Sequence, residues 1–139
     1  NKEDQIREYE RIYNDHNFDL EYPANKKRLS IFLNILKDIK PRKILDAGCG
    51  NGLPMISILQ NGFDCIGFDK APNMVAEATK NLSTAGFNKD AVTIGDFETF
   101  RSREKFDCIL GMGTFYYAKD PLKTLKNVIL TENKILFTI

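Results

Sequence analysis

Histidine is nearly missing from this chain: His16 is the only one among 139 residues. Acid–base chemistry at neutral pH therefore has one imidazole to draw on, and no group of His, Cys and acidic residues has the spacing of a metal site. Cysteine is scarce too. Three is an odd number, and no two stand at metal-ligand spacing, so reduced thiols in a cytoplasmic protein are the expectation. Charge of one sign is also lacking. Twenty Lys and Arg against nineteen Asp and Glu leave a net charge of +1, which argues against a dedicated nucleic-acid surface. The one sharp basic cluster, Lys26-Lys27-Arg28, reads as the solvated face of a helix start. No apolar run has the length of a membrane span, no signal-peptide pattern opens the chain, and there are no repeats or low-complexity tracts. An initiator Met is absent and the chain stops inside an apolar run, residues 135–139, so both ends are expected to be incomplete.

What remains is a single domain of ordinary composition, with 42% apolar and 28% charged residues, large enough to bury a core. Ile6, Tyr9 and Tyr13 fall at helical spacing, and so do Leu29, Phe32, Leu33 and Leu36, which predicts two helices before Pro41. Beyond Pro41 strand and helix alternate. Strands are expected at residues 43–47, 64–68, 91–94, 106–110 and 134–139. Helices are expected from Leu53 with Pro54 in the first turn, over residues 72–82, and from Asp120-Pro121 with Leu122, Leu125 and Ile129 on one face. Asn61-Gly62 and Ala85-Gly86 supply the turns. This alternation predicts an α/β fold, a parallel sheet with helices on both sides, and ligands at the carboxyl ends of its strands.

The most informative stretch is ILDAGCGNG, residues 44–52, where an acid, Asp46, precedes a loop with Gly48, Gly50 and Gly52. Alternate glycines let the backbone leave a strand sharply and come against a ligand. In the dinucleotide pattern G-x-G-x-x-G the third small residue packs helix on strand, but Leu53 stands there. A pyrophosphate would also be repelled by Asp46, whereas a ligand carrying an amino group and a sulfonium would be attracted.

This loop resembles motif I (D-x-G-x-G-x-G) of the class I S-adenosylmethionine (SAM) dependent methyltransferases. The resemblance implies a Rossmann-like doubly wound parallel sheet of order 3-2-1-4-5, with strands six and seven missing from this chain. It divides the chain into a SAM-binding core, residues 41–139, and an N-terminal helical segment, residues 1–40, that folds over the acceptor site. It implies SAM as cofactor, with S-adenosylhomocysteine (SAH) as product, held by Asp46, Gly48, Cys49, Gly50, Asn51 and Gly52 of the loop. Asp69 follows strand two, 17 residues after Gly52 (69 − 52), near the offset at which an acid receives ribose hydroxyls. The resemblance gives it that role; an acid capping the next helix is the other reading, and both can hold together. Lys70 departs from the apolar residue usual there, and Met74 stands where an apolar adenine neighbour is common. After strand three, Asp96 would accept from the adenine amino group, with the Phe97 backbone donating to the ring. After strand four, Gly111, Met112 and Gly113 would bring backbone against the methionine part of SAM.

Methyl transfer from a sulfonium is an in-line displacement that needs alignment and exclusion of water more than a strong base. Tyr116 and Tyr117 are candidates for the acceptor pocket, and His16 for a base in a segment shared with Tyr9, Tyr13 and Tyr22. The chain lacks N-P-P-Y or D-P-P-Y after strand four and a Pro-Cys nucleophile, which leaves a small-molecule acceptor on O, N or C. The alternatives are a SAM-binding module without catalysis that acts through a partner, a nicotinamide-dependent oxidoreductase, and a polyamine synthase. The last is disfavoured because GMGTFYY replaces its acidic diamine-binding pattern.

Overall fold

The structure, a computed structural model, describes residues 1, 3–4, 23–112 and 134–138. The expected first helix, the Tyr116–Tyr117 pair, His16 and the helix at Asp120-Pro121 lie outside the described residues.

The first described helix, α1 (Pro23–Ile39), buries Leu29, Phe32 and Leu36, as their spacing predicts. It stops at Lys40, whose φ of +49° turns the chain out of the helix before Pro41. Then come β1 (Ile44–Ala47), α2 (Leu53–Gln60), β2 (Cys65–Asp69), α3 (Pro72–Thr84), a short 3-10 turn at Lys89–Ala91, β3 (Val92–Ile94), β4 (Cys108–Met112) and β5 (Lys134–Thr138). All neighbouring strands are parallel and lie in the order β3-β2-β1-β4-β5, the order the resemblance implied.

Strand boundaries differ from the expectation by one or two residues. Lys43 precedes β1, held by its own N–H bond to Asp107 Oδ1 and by an ion pair from Nζ to Asp64 at 3.0 Å. The largest shift is in β4, expected at 106–110. Phe106 packs near Phe100, ring centroids 6.4 Å apart. Asp107 spends its carboxylate on the N–H groups of Arg42 (2.7 Å) and Lys43 (2.8 Å), which staples the start of β1 to β4. Gly111 and Met112, expected just past the strand, are inside it, because β5 continues the pairing to Met112 opposite Thr138. β2 runs one residue further than expected and includes Asp69, which stands opposite Ile94 of β3.

One core joins the inward faces of α1, α2 and α3 (Phe32 and Leu36; Met55, Ile56 and Ile58; Val75, Ala78 and Leu82) to Ile44, Cys65, Val92, Cys108 and Leu110 of the sheet. A second gathers Leu45, Ala47, Phe68 and Ile109 with Phe97 and Phe106. Phe68 anchors it, stacked on Phe100 at 4.7 Å and edge-on to Phe97 at 5.4 Å. Such pairs add about 0.5–1.5 kcal/mol beyond the area they bury. Both cores hold the carboxyl ends of β1 and β2 rigidly, and the candidate site is built there.

Candidate functional site

The turn from β1 to α2 is made by three glycines with left-handed backbone, Gly48 (φ +79°), Gly50 (φ +55°) and Gly52 (φ +79°). A side chain at Gly52 would be strained by that φ, and its Cβ would lie 3.1 Å from Ala78 Cβ of α3. The loop is tied to β2 at its base, where Gly48 N–H and Cys49 N–H both donate to the Phe68 carbonyl, at 2.8 and 2.9 Å. Asn51, 1% exposed, accepts from Leu53 N–H through Oδ1 at 3.2 Å, and its carbonyl accepts from Asn81 Nδ2 of α3 at 2.9 Å. Gly52 caps α2 without a side-chain hydrogen bond, and the first turn of α2 holds no acid.

Asp69 is 1% exposed and reaches both the glycine loop and the start of α3 with one carboxylate. Its Oδ2 accepts from Gly50 N–H at 2.8 Å, and its Oδ1 accepts from Ala71 N–H at 2.9 Å, at the start of α3. It thus binds the glycine loop to the next helix.

Asp46 is different. It is 3% exposed, and among the described residues no donor reaches its carboxylate. Burial first, and the nearby Asp69 charge second, push its pKa up to about 7. Among the described residues no cation lowers the pKa of Asp46. The structure therefore concentrates negative charge under the glycine loop, and a cationic ligand would relieve it. Cys49, behind the loop, is buried and its thiol is pushed well up, chiefly by burial and then by the two acids, so it is a packing group rather than a nucleophile.

The remaining predicted residues fall around the same strand ends. Lys70 is half-buried between Asp69 and the buried Ala71, and Met74 is buried against Ala71. Asp96 follows β3, and its Oδ1 accepts from Glu98 N–H, Thr99 N–H and Thr99 Oγ1, at 2.9–3.0 Å, so it organises its own turn. Phe97 commits its side chain to the second core. Gly111 and Met112 sit in β4 as described above.

Sequence reasoning missed Gly67 in β2. A Cβ there would stand 3.0 Å from the Asp46 carbonyl and 3.0 Å from Cys49 Cβ, so only glycine lets the loop fold down on β2. An isolated glycine inside an apolar strand was the available signal. The link from Asn81 to the loop spans 30 residues and has no local signature.

A parallel sheet in this order, with a glycine loop after β1 and acids at the ends of β1 and β2, defines a Rossmann-like nucleotide-binding domain. Residues 40–137 match the Methyltransferase domain family, and the chain belongs to that family. It is 33% identical over 100 residues to a tRNA U34 carboxymethyltransferase of Cellvibrio japonicus, covering 68% of this chain and 31% of that protein. It is 40% identical over 117 residues to a glycine/sarcosine N-methyltransferase of Parasynechococcus marenigrum, covering 76% of this chain and 40% of that protein. Among solved structures, a SAM-dependent methyltransferase from Thiobacillus denitrificans, in complex with SAH, superposes with a TM-score of 0.69 at 18% identity, over 94% of this chain and 54% of that one. The chain thus spans a third to two fifths of the length of these curated relatives. Among the described residues no helix is long and apolar enough to cross a membrane, and no cluster of His, Cys and acids could hold a metal ion.

Proposed function

We propose that the site binds SAM and that the protein transfers its methyl group to a small-molecule acceptor. The observation that supports this most is Asp46: a buried carboxylate without a described donor, beside a second acid and under a glycine loop, suits a cationic ligand. The same pair would repel the pyrophosphate of a nicotinamide cofactor. In this reading Asp69 receives the ribose hydroxyls, and Gly48, Cys49, Gly50, Asn51 and Gly52 lay backbone against the methionyl part. Met74 and the Lys70 stem border the adenine. Asp96 and the Phe97 backbone meet its polar edge, and Gly111 and Met112 flank the methyl.

SAM supplies a methyl group already activated on a sulfonium. The chain's work is to align acceptor and methyl and to exclude water, which can supply roughly 7–11 kcal/mol of the barrier. Of the N-terminal segment, residues 1–40, α1 is committed to the core through Phe32 and Leu36, which limits any covering role to the residues before it. His16, Tyr116 and Tyr117 are the groups proposed to meet the acceptor.

The relatives' names include a tRNA enzyme and a glycine/sarcosine N-methyltransferase. The near-neutral chain, at +1, favours the small molecule, and the tRNA relatives support nucleic acid as the second reading. A panel of O-, N- and C-acceptors and bulk tRNA, assayed with the full-length protein for SAH release, tests both. SAH formed with a small molecule and not with tRNA is the expected result. SAM binding without SAH from any acceptor would favour a non-catalytic SAM-binding module.

A further inference from the structure

Asp46 and Asp69 stand at the ends of adjacent strands, but the donors are divided unequally between them. Asp69 holds the N–H groups of Gly50 and Ala71, and Asp46 holds none among the described residues. Two neighbouring buried carboxylates with one set of donors do not ionise alike: the bonded one keeps the charge and the bare one takes the proton.

We propose, building on the SAM reading above, that Asp46 carries a proton in the ligand-free protein below neutral pH and releases it to solvent when the charged methionyl head of SAM enters. The carboxylate formed then faces the ammonium and sulfonium, so binding of the head and loss of the proton are one linked event.

The surroundings leave Asp46 as the group that titrates. From β2 it faces Asp69 and the Cys65 thiol, and from the loop the Cys49 thiol. Both thiols are pushed well above their ordinary range, chiefly by burial, and stay neutral through the acid range. β4 brings Leu110 into register with Asp46. The buried residues of α2 (Pro54, Met55, Ile56, Ile58) and of α3 (Met74, Val75, Ala78, Leu82) carry no titratable group. The burial that raises Asp46 to about 7 places the transition where it can be followed below the titration of the ligand's own α-amino group, near 7.7–8.0.

The test is calorimetric titration of the full-length protein between about pH 5 and pH 7, in buffers of differing ionisation enthalpy. The ligands are SAM and 5′-deoxy-5′-methylthioadenosine, which keeps the nucleoside and thioether but lacks the charged head. Linkage of one proton predicts SAM affinity rising by up to about tenfold per pH unit, with release approaching one proton at the acid end. Methylthioadenosine affinity should stay nearly level. Asp46→Asn should flatten the SAM profile and still bind methylthioadenosine, which shows that its pocket is intact. The inference is overturned if both ligands bind and SAM affinity is level with no proton released, or if Asp46→Asn keeps the slope. Binding of neither ligand would instead overturn the SAM reading on which it rests.

Discussion

Asp46→Asn should make the ligand-free protein more stable and a poorer SAM binder at once. Ionised Asp46 is buried without a described donor beside Asp69, and its pKa is raised from the ordinary 3.8 to about 7. Between those values the folded state holds a proton that the unfolded state has lost. Stability associated with Asp46 is therefore fully present below about pH 4, declines as pH rises, and is gone above about pH 7. Asparagine has the same shape and no charge, so its advantage grows over the same window. A shift of this size corresponds to roughly 2–4 kcal/mol at pH 8 once relaxation around the site is allowed for. For a domain of this size that is a rise of roughly 6–15 °C in melting temperature. At about pH 4 variant and parent should melt together. Melting curves at both pH values, with SAM titration at the higher one, check the expectation. Equal or lower stability of the variant at pH 8 would show that Asp46 has a partner in solution.

Asp69→Ala should act in the opposite direction on stability. Its carboxylate satisfies two buried N–H groups, Gly50 at 2.8 Å and Ala71 at 2.9 Å. Removing it strands both donors, and each stranded buried group costs about 1–3 kcal/mol. Relief of repulsion on Asp46 returns part of that, so a net loss of about 2–4 kcal/mol is expected. The glycine loop loses one of its ties to α3, the Asn81 bond remaining, and SAM binding should fall below detection. Asp69→Asn, which keeps one acceptor oxygen, should lie between in stability and separate loss of binding from loss of fold. Denaturant titration of both variants checks this. An Asp69→Ala protein as stable as the parent would mean the two N–H groups find water. The pair of substitutions separates two acids that look alike in sequence: one ties the glycine loop to the start of α3, and the other is proposed to hold charge for a ligand.

How far these roles were legible in the sequence depends on how local their causes are. The parallel pairing and the α2 and α3 positions follow from alternation and from glycine and proline punctuation, while the strand order was implied by the family resemblance of the glycine loop. Leu29, Phe32 and Leu36 reveal the buried side of α1 by spacing alone. Asp69 could be read as an acid that serves the start of α3 because that bond acts within two residues of the strand end. The start of β4 was misplaced because Phe106 has the apolar character of a strand residue, while its neighbour Asp107 is drawn off to the backbone of Arg42 and Lys43, more than 60 residues back. Gly67 and Asn81 are constrained by the loop folding onto them, which no window around either residue contains. The raised pKa of Asp46 is likewise a property of packing. Its sequence position suggests the sign of a ligand charge it would attract, and its burial in the fold is what raises the pKa.

The most direct test of the central claim is a parallel equilibrium titration of the full-length protein with SAM, SAH and NADH at pH 7.5, read by thermal shift and calorimetry. At a hundredfold excess over the dissociation constant a ligand adds about 2.7 kcal/mol, a rise of roughly 5–15 °C here. The account predicts that shift with SAM and SAH and none with NADH. Stabilisation by NADH with no response to SAM or SAH would contradict it, because the acids beneath the glycine loop would then be accepting a pyrophosphate that their charge should repel.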